Sequence, residues 1–149
     1  MGYTNYWTAK KLTREQIPNQ FSNDVEKVLD AVISEGIILA TPDGTEPFDS
    51  SHDIIKYWKS DNDIPGLCFN GFREKASESF RFIFDGNWSC CKTARDEYDL
   101  AVKCILMLAE KYDLLYHYRD DDKVWSFDGD EKDEEYIKAK EFFDKFIAR

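Results

Sequence analysis

The sequence predicts an α+β domain: an antiparallel sheet of about five or six strands with two to three helices packed on it. Strand patterns and helical patterns occur in blocks rather than in strict alternation, and short turns that suit hairpins separate neighbouring strand patterns. The chain has 149 residues, of which 42% are hydrophobic and 15% aromatic. This size and composition suit one packed core, so we expect residues 1–149 to form a single domain.

Strand patterns occur at the N-terminus and in two predicted hairpins. Gly2–Ala9 alternates aromatic and polar residues, as strands with one buried face do. The first hairpin pairs Leu67–Phe72 with Ser77–Phe84, and the second pairs Leu114–Tyr118 with Val124–Phe127. Both pairs are joined by short polar segments, which favours antiparallel pairing.

Three segments have helical periodicity. Phe21–Ile33 carries an apolar stripe that Gly36 is placed to end, and Ile37–Ala40 follows as a short strand. Asp133–Ala148 has the pattern of a final helix. The strongest pattern belongs to the segment after Asp96, whose apolar residues recur at helical spacing: Tyr98, Ala101, Val102, Ile105, Leu108, Ala109 and Tyr112. We expect this segment to be the central core helix.

The predicted start of the central helix is the first candidate site. Thr93 followed by Asp96 has the spacing of a capping box, so we expect Lys92 just outside the first turn and Arg95 within it. Cations oppose the macrodipole at this end of a helix, whereas an anion would meet unpaired amides and both basic side chains. The alternative is a solvated surface on which neighbouring carboxylates neutralise the two cations.

The residues near this helix start suit a nucleotide-like ligand. Phosphate or carboxylate contacts would come from Lys92, Thr93 and Arg95. Stacking surfaces would come from Tyr3, Tyr6 and Trp7, and directional donors and acceptors from Asn70, Glu78 and Asp128. Each of these residues also has a structural interpretation, because aromatic residues in a strand pack in the core and the polar residues suit turns and surfaces.

Charge and hydropathy limit the partners. Twenty basic and thirty acidic residues give a net charge of −10, which disfavours binding to duplex DNA. The charge is uneven: Asp120–Glu135 holds nine acids and two lysines, whereas Gly71–Arg95 holds five basic and three acidic residues. No run of about 18 apolar residues is present, and Met1–Lys10 lacks the basic-then-apolar pattern of a secretory leader, so we expect a soluble, intracellular protein that does not enter membranes.

Common catalytic and metal-binding motifs are missing from the sequence. The four cysteines lack zinc-site spacing and there are two histidines, so we expect no metal and no cofactor. Cys91, beside Lys92 at a helix start, could act as a nucleophile, but no obvious base accompanies it. Glu78 or Asp128 would have to serve as a base. The sequence therefore favours a binding protein over an enzyme.

Several motifs, in order along the chain, resemble those of a family of small uncharacterised bacteriophage proteins. They are Gly2-Tyr3-Thr4-Asn5-Tyr6-Trp7, Phe69-Asn70-Gly71, Glu78-Ser79-Phe80, Cys91-Lys92-Thr93-Ala94-Arg95 with Tyr98-Asp99, and Ser126-Phe127-Asp128-Gly129. The resemblance adds Thr4, Tyr98, Asp99 and Ser126 to the candidate ligand-binding residues. Asn5 and Ser77 stand where that family commonly has histidine, which favours binding over catalysis in this chain.

The resemblance implies a viral protein that acts in the host cytoplasm. Our leading hypothesis is a counter-defence protein that sequesters a small phosphorylated nucleotide signal, such as a cyclic dinucleotide or an ADP-ribose derivative, without catalysis. One alternative is an acidic inhibitor or nucleic-acid mimic that uses the acids of Asp120–Glu135 to block a host defence protein such as a nuclease. Another is a hydrolase of the same nucleotide. Ligand pockets between subunits are compatible with the sequence, so a homo-oligomer is a further expectation.

Overall fold

The α+β class is confirmed by the computed structural model of the chain. The structure describes residues 4–55, 66–94, 96–120, 124–125 and 134–146. Within these ranges the strands are β1 (Thr4–Ala9), β2 (Leu39–Ala40), β3 (Gly66–Gly71), β4 (Phe80–Ile83), β5 (Trp88–Lys92), β6 (Leu115–Asp120) and β7 (Val124–Trp125). The long helices in the described part of the chain are α1 (Asn19–Ser34), α2 (Asp99–Lys111) and α3 (Glu134–Phe146).

The strands form two antiparallel sheets rather than the single sheet that we expected. One sheet has four strands in the order β5, β1, β6, β7, and the other has three strands in the order β2, β3, β4. Both predicted hairpins are confirmed, because β3 pairs with β4 and β6 with β7. The sheets meet where β4 and β5 contact each other. At this junction the sheets are linked by a hydrogen bond rather than by a continuous strand ladder. The Glu78 amide donates to the Lys92 carbonyl at 3.1 Å.

The N-terminal strand lies in the middle of the four-stranded sheet and has two different faces. Residues of β1 alternate between partly exposed and buried positions, starting with a partly exposed Thr4. The inner face carries Trp7, which is 1% exposed and contacts the rings of Phe80 and Phe82 at centroid distances of 5.2 and 6.2 Å. The alternation that predicts the strand therefore also separates a core face from an outer face.

The helices supply most of the remaining core. In α1 the buried apolar residues recur at helical spacing from Phe21 to Val32, and Gly36, at φ +89°, follows the helix as predicted. All residues from Ala101 to Ala109 of α2 are buried, as expected of a central helix that contacts α1, α3 and β6. No helix in the described ranges is long and apolar enough to cross a membrane.

Candidate functional site

The predicted start of the central helix is wrong. The helix begins at Asp99, with Tyr98 as its N-cap residue and no side-chain cap. Lys92 is the last residue of β5, a strand that we did not predict, and Thr93 lies in the turn that follows. The predicted capping box does not form, because the Thr93 side chain has a different hydrogen-bond partner. Its hydroxyl donates to the Asp99 carboxylate at 2.7 Å instead of accepting the Asp96 amide.

A buried polar network surrounds the true start of this helix. Oδ1 of Asp99 accepts the Asn5 amide at 2.8 Å as well as the Thr93 hydroxyl. Its Oδ2 lies 3.6 Å from the Lys103 ammonium, one helical turn later, and that ammonium donates to the Asn5 side-chain oxygen at 2.8 Å. The network joins β1, the turn after β5, and α2.

The network also explains why no external anion is needed at the helix start. Asp99 is itself an anion in the first turn, where the helix macrodipole favours negative charge. Its charge is paired with Lys103, whose side chain is 0% exposed. Every buried side-chain nitrogen and oxygen in the described residues has a hydrogen-bond partner. We therefore assign Asn5, Thr93 and Asp99 to the internal structure of this site rather than to ligand contact.

A second cluster forms around Glu78, next to this network. The Glu78 carbonyl accepts the Tyr98 hydroxyl at 2.6 Å and the Cys91 thiol at 3.4 Å. The Glu78 carboxylate accepts the Lys92 backbone amide at 2.7 Å. It therefore pairs with a backbone donor of β5, which is the edge strand of the four-stranded sheet. Burial raises the pKa of both the Cys91 thiol and the Tyr98 hydroxyl far above their usual values, which keeps both groups protonated.

Asn70 fixes the other end of the three-stranded sheet. Its side-chain amide donates to the carbonyls of Pro42 and Ser77 at 2.9 and 2.8 Å. Its side-chain oxygen accepts the amides of Gly71 and Ser77 at 2.7 and 3.1 Å. The Asn70 side chain is thus engaged with backbone groups on both its donor and its acceptor sides, and it has a structural role in the loop that follows β3.

The outer face of β1 and β5 carries predicted site residues that are exposed or partly exposed to solvent. The register pairs Thr4 with Lys92 and Tyr6 with Cys90, and it places Trp88 opposite Thr8. Trp88 is 57% exposed, and its ring stacks on the Tyr6 ring with the centroids 5.8 Å apart and an interplanar angle of 28°. Lys92 is exposed at the far end of the same face of β5. We call Thr4, Tyr6, Trp88, Cys90 and Lys92 the outer platform.

A cleft of about 230 Å³ lies elsewhere, between α1 and the strands β3 and β4. Its walls are mainly apolar and include Phe21, Leu67 and Phe82, with Arg14 and Glu26 among its polar residues. No residue of the outer platform lines it, and neither does any of the nine predicted ligand-binding residues that the structure describes. The described candidate ligand-binding residues therefore lie outside this cleft.

The structure brings together only some of the predicted ligand-binding residues. Thr4, Tyr6 and Lys92 share the outer platform, whereas Trp7 lies in the core behind it. The remaining described members belong to the clusters around Asp99, Glu78 and Asn70. Four predicted members lie outside the described residues: Tyr3, Arg95, Ser126 and Asp128.

Two important residues were missed in the sequence. Lys103 interrupts an apolar run four residues after Asp99, and this spacing of opposite charges suits an ion pair between them. Trp88 follows the Asp85-Gly86-Asn87 turn, and these turn residues indicate the end of one strand and the start of a new one. No protein-family model, no curated protein and no solved structure matches the chain.

Proposed function

We propose that the protein binds a small phosphorylated nucleotide on the outer platform. The observation that carries this proposal is the exposed Trp88 ring, which stacks on Tyr6 and shares its strand face with the exposed Lys92. An aromatic ring held in place by a second ring is a ready stacking surface for a base, and such stacking is worth about 1–3 kcal/mol per base. A lysine ammonium on the same face is a suitable partner for phosphate.

The state of the candidate catalytic groups supports binding without chemical change. A cysteine nucleophile must be a thiolate, but the raised pKa of Cys91 keeps its buried thiol protonated. Glu78, the described candidate for a general base, uses its carboxylate to hold the Lys92 amide. Cys91 and Glu78 both form hydrogen bonds that stabilise the junction between the two sheets.

The biological role that we propose is the sequestration of a nucleotide immune signal by a phage protein in the host cytoplasm. The resemblance to bacteriophage proteins supports the viral setting, and the chemistry of the outer platform supports the ligand class. Cyclic dinucleotides and ADP-ribose derivatives both combine a base with more than one phosphate. The alternative of nucleic-acid mimicry depends on the acids of Asp120–Glu135, most of which lie outside the described residues.

Titration calorimetry against a panel of cyclic dinucleotides and ADP-ribose derivatives tests the proposal. We expect wild-type protein to bind at least one member and Trp88→Ala and Lys92→Ala each to weaken that binding by about tenfold or more, which corresponds to about 1.4 kcal/mol. Lys140→Ala is the matched control, because Lys140 pairs with Asp144 on α3, away from the platform. Chromatography of the ligand after incubation should recover it unchanged. Binding that survives Trp88→Ala at full strength would refute the assignment of the site.

A further inference from the structure

The shape of the outer platform narrows the ligand class. The platform is one face of a sheet, and none of its residues lines the cleft beside α1. Small ligands that bind tightly are usually enclosed in concave pockets, which cover most of their surface. An open sheet face with exposed aromatic residues instead suits a chain of nucleotides, because each added nucleotide brings further contact area.

The spacing along β5 supports a ligand longer than one nucleotide. Trp88 and Lys92 are four residues apart on the same face of the strand, which places their Cα atoms about 13 to 14 Å apart at the usual rise per residue. When a base stacks on Trp88, the phosphate of the same nucleotide lies near the middle of β5, short of the Lys92 ammonium. The phosphate that follows the next nucleotide is better placed to meet the Lys92 ammonium.

Charge sets an upper limit on the length of the ligand. The whole chain carries a net charge of −10, so a long polyanion is repelled as it extends beyond the platform. Within the described residues, the Lys92 ammonium forms no ion pair, and it is therefore available to a phosphate. Local attraction and overall repulsion together favour a short oligonucleotide.

We propose that the outer platform binds short single-stranded oligonucleotides of at least two nucleotides, linear or cyclic, in preference to mononucleotides. This inference rests on the proposed function and specifies its ligand class. Trp88, supported by Tyr6, stacks on the first base, and Lys92 contacts the phosphate beyond the second nucleotide. Stacking tolerates any base, so the preference concerns length rather than sequence.

Calorimetric titration with 5′-phosphorylated adenine and thymine series of one, two, four and eight nucleotides tests the length preference. For wild-type protein we expect the dinucleotide to bind about tenfold more tightly than the mononucleotide, and the octamer to gain less than about threefold over the tetramer. Trp88→Ala should weaken every member of the series. Lys92→Ala should weaken the dinucleotide but leave the mononucleotide nearly unchanged. Lys75→Ala, which removes another exposed lysine that pairs with Glu97, should change neither.

The outcomes separate this inference from the proposed function. Equal affinity for mononucleotide and dinucleotide, or an equal loss for both in Lys92→Ala, overturns the length preference, while the loss in Trp88→Ala keeps the proposed site. A series in which no member binds overturns both proposals. Trp88→Phe keeps an aromatic ring and should retain most of the affinity, so a fold defect in Trp88→Ala can be recognised.

Discussion

Removing the Lys103 ammonium should be among the most damaging single changes in the protein. Lys103→Met keeps the length of the side chain but leaves the Asp99 carboxylate buried without its counter-charge. At the observed 3.6 Å between the ammonium and Asp99 Oδ2, the pair attracts by about 4 to 5 kcal/mol at an effective dielectric constant of about 20. Loss of one member of a buried pair commonly costs about 3–5 kcal/mol, so we expect a loss of that size.

Urea unfolding followed by circular dichroism measures this loss. The free energy of unfolding should fall by about 3–5 kcal/mol in Lys103→Met with an unchanged dependence on urea. Lys140→Met is the matched control, because Lys140 also pairs with an aspartate four residues away but on the surface of α3. Such exposed pairs contribute about 0.3–0.5 kcal/mol.

A double-mutant cycle with Asp99→Asn isolates the pair. Removing both charges should cost less than the sum of the two single changes, because neither variant group is then a buried unpaired charge. If Lys103→Met alone is too unstable to fold, Asp99→Asn/Lys103→Met should restore folding. A loss below about 1 kcal/mol in Lys103→Met, close to that of the surface control, would refute the assignment of this network as the internal anchor of the central helix.

Three further predictions concern neighbouring parts of the fold. Asn70→Ala should lower the free energy of unfolding by at least about 2 kcal/mol, because it leaves several backbone groups without their partner; thermal unfolding checks this, and a smaller effect would contradict the structural role. Gly71→Ala should prevent normal folding, since an added Cβ would lie 2.1 Å from the Lys75 carbonyl oxygen; a native-like circular dichroism spectrum with unchanged melting would contradict this. Partial burial and the hydrogen bond to Asp24 raise the pKa of Tyr112 to about 12, above its unfolded value of about 10. The resulting stability is complete below about pH 10 and is lost as the pH rises through about 12, so Tyr112→Phe should flatten the alkaline fall in unfolding free energy measured in urea.

The helices and strands with strong hydrophobic periodicity could be predicted from the sequence. The apolar spacing in α1 and α2 and the alternation in β1 reflect burial on one side of each element, and burial patterns are local in sequence. The two hairpins were also predictable, because short turns connect strands that pair with each other. These signals depend on neighbours in the chain and need no knowledge of distant contacts.

The site was harder to predict because its key contacts join distant parts of the chain. The Thr93 hydroxyl could cap a local helix or donate to Asp99, and only the tertiary structure decides between the two. The contact of Glu78 with Lys92 at the junction of the two sheets likewise joins residues 14 positions apart.

Mapping of the ligand on the protein by backbone amide chemical shifts tests the central claim most directly. Titration of ¹⁵N-labelled protein with a 5′-phosphorylated dinucleotide should shift the amide signals of the outer platform most strongly, with the largest changes around Tyr6, Trp88 and Lys92. Residues of the cleft beside α1, such as Phe21 and Phe82, should change little. Shifts concentrated in the cleft, or no shifts at millimolar ligand, would contradict the claim that the open face of the four-stranded sheet is the binding surface.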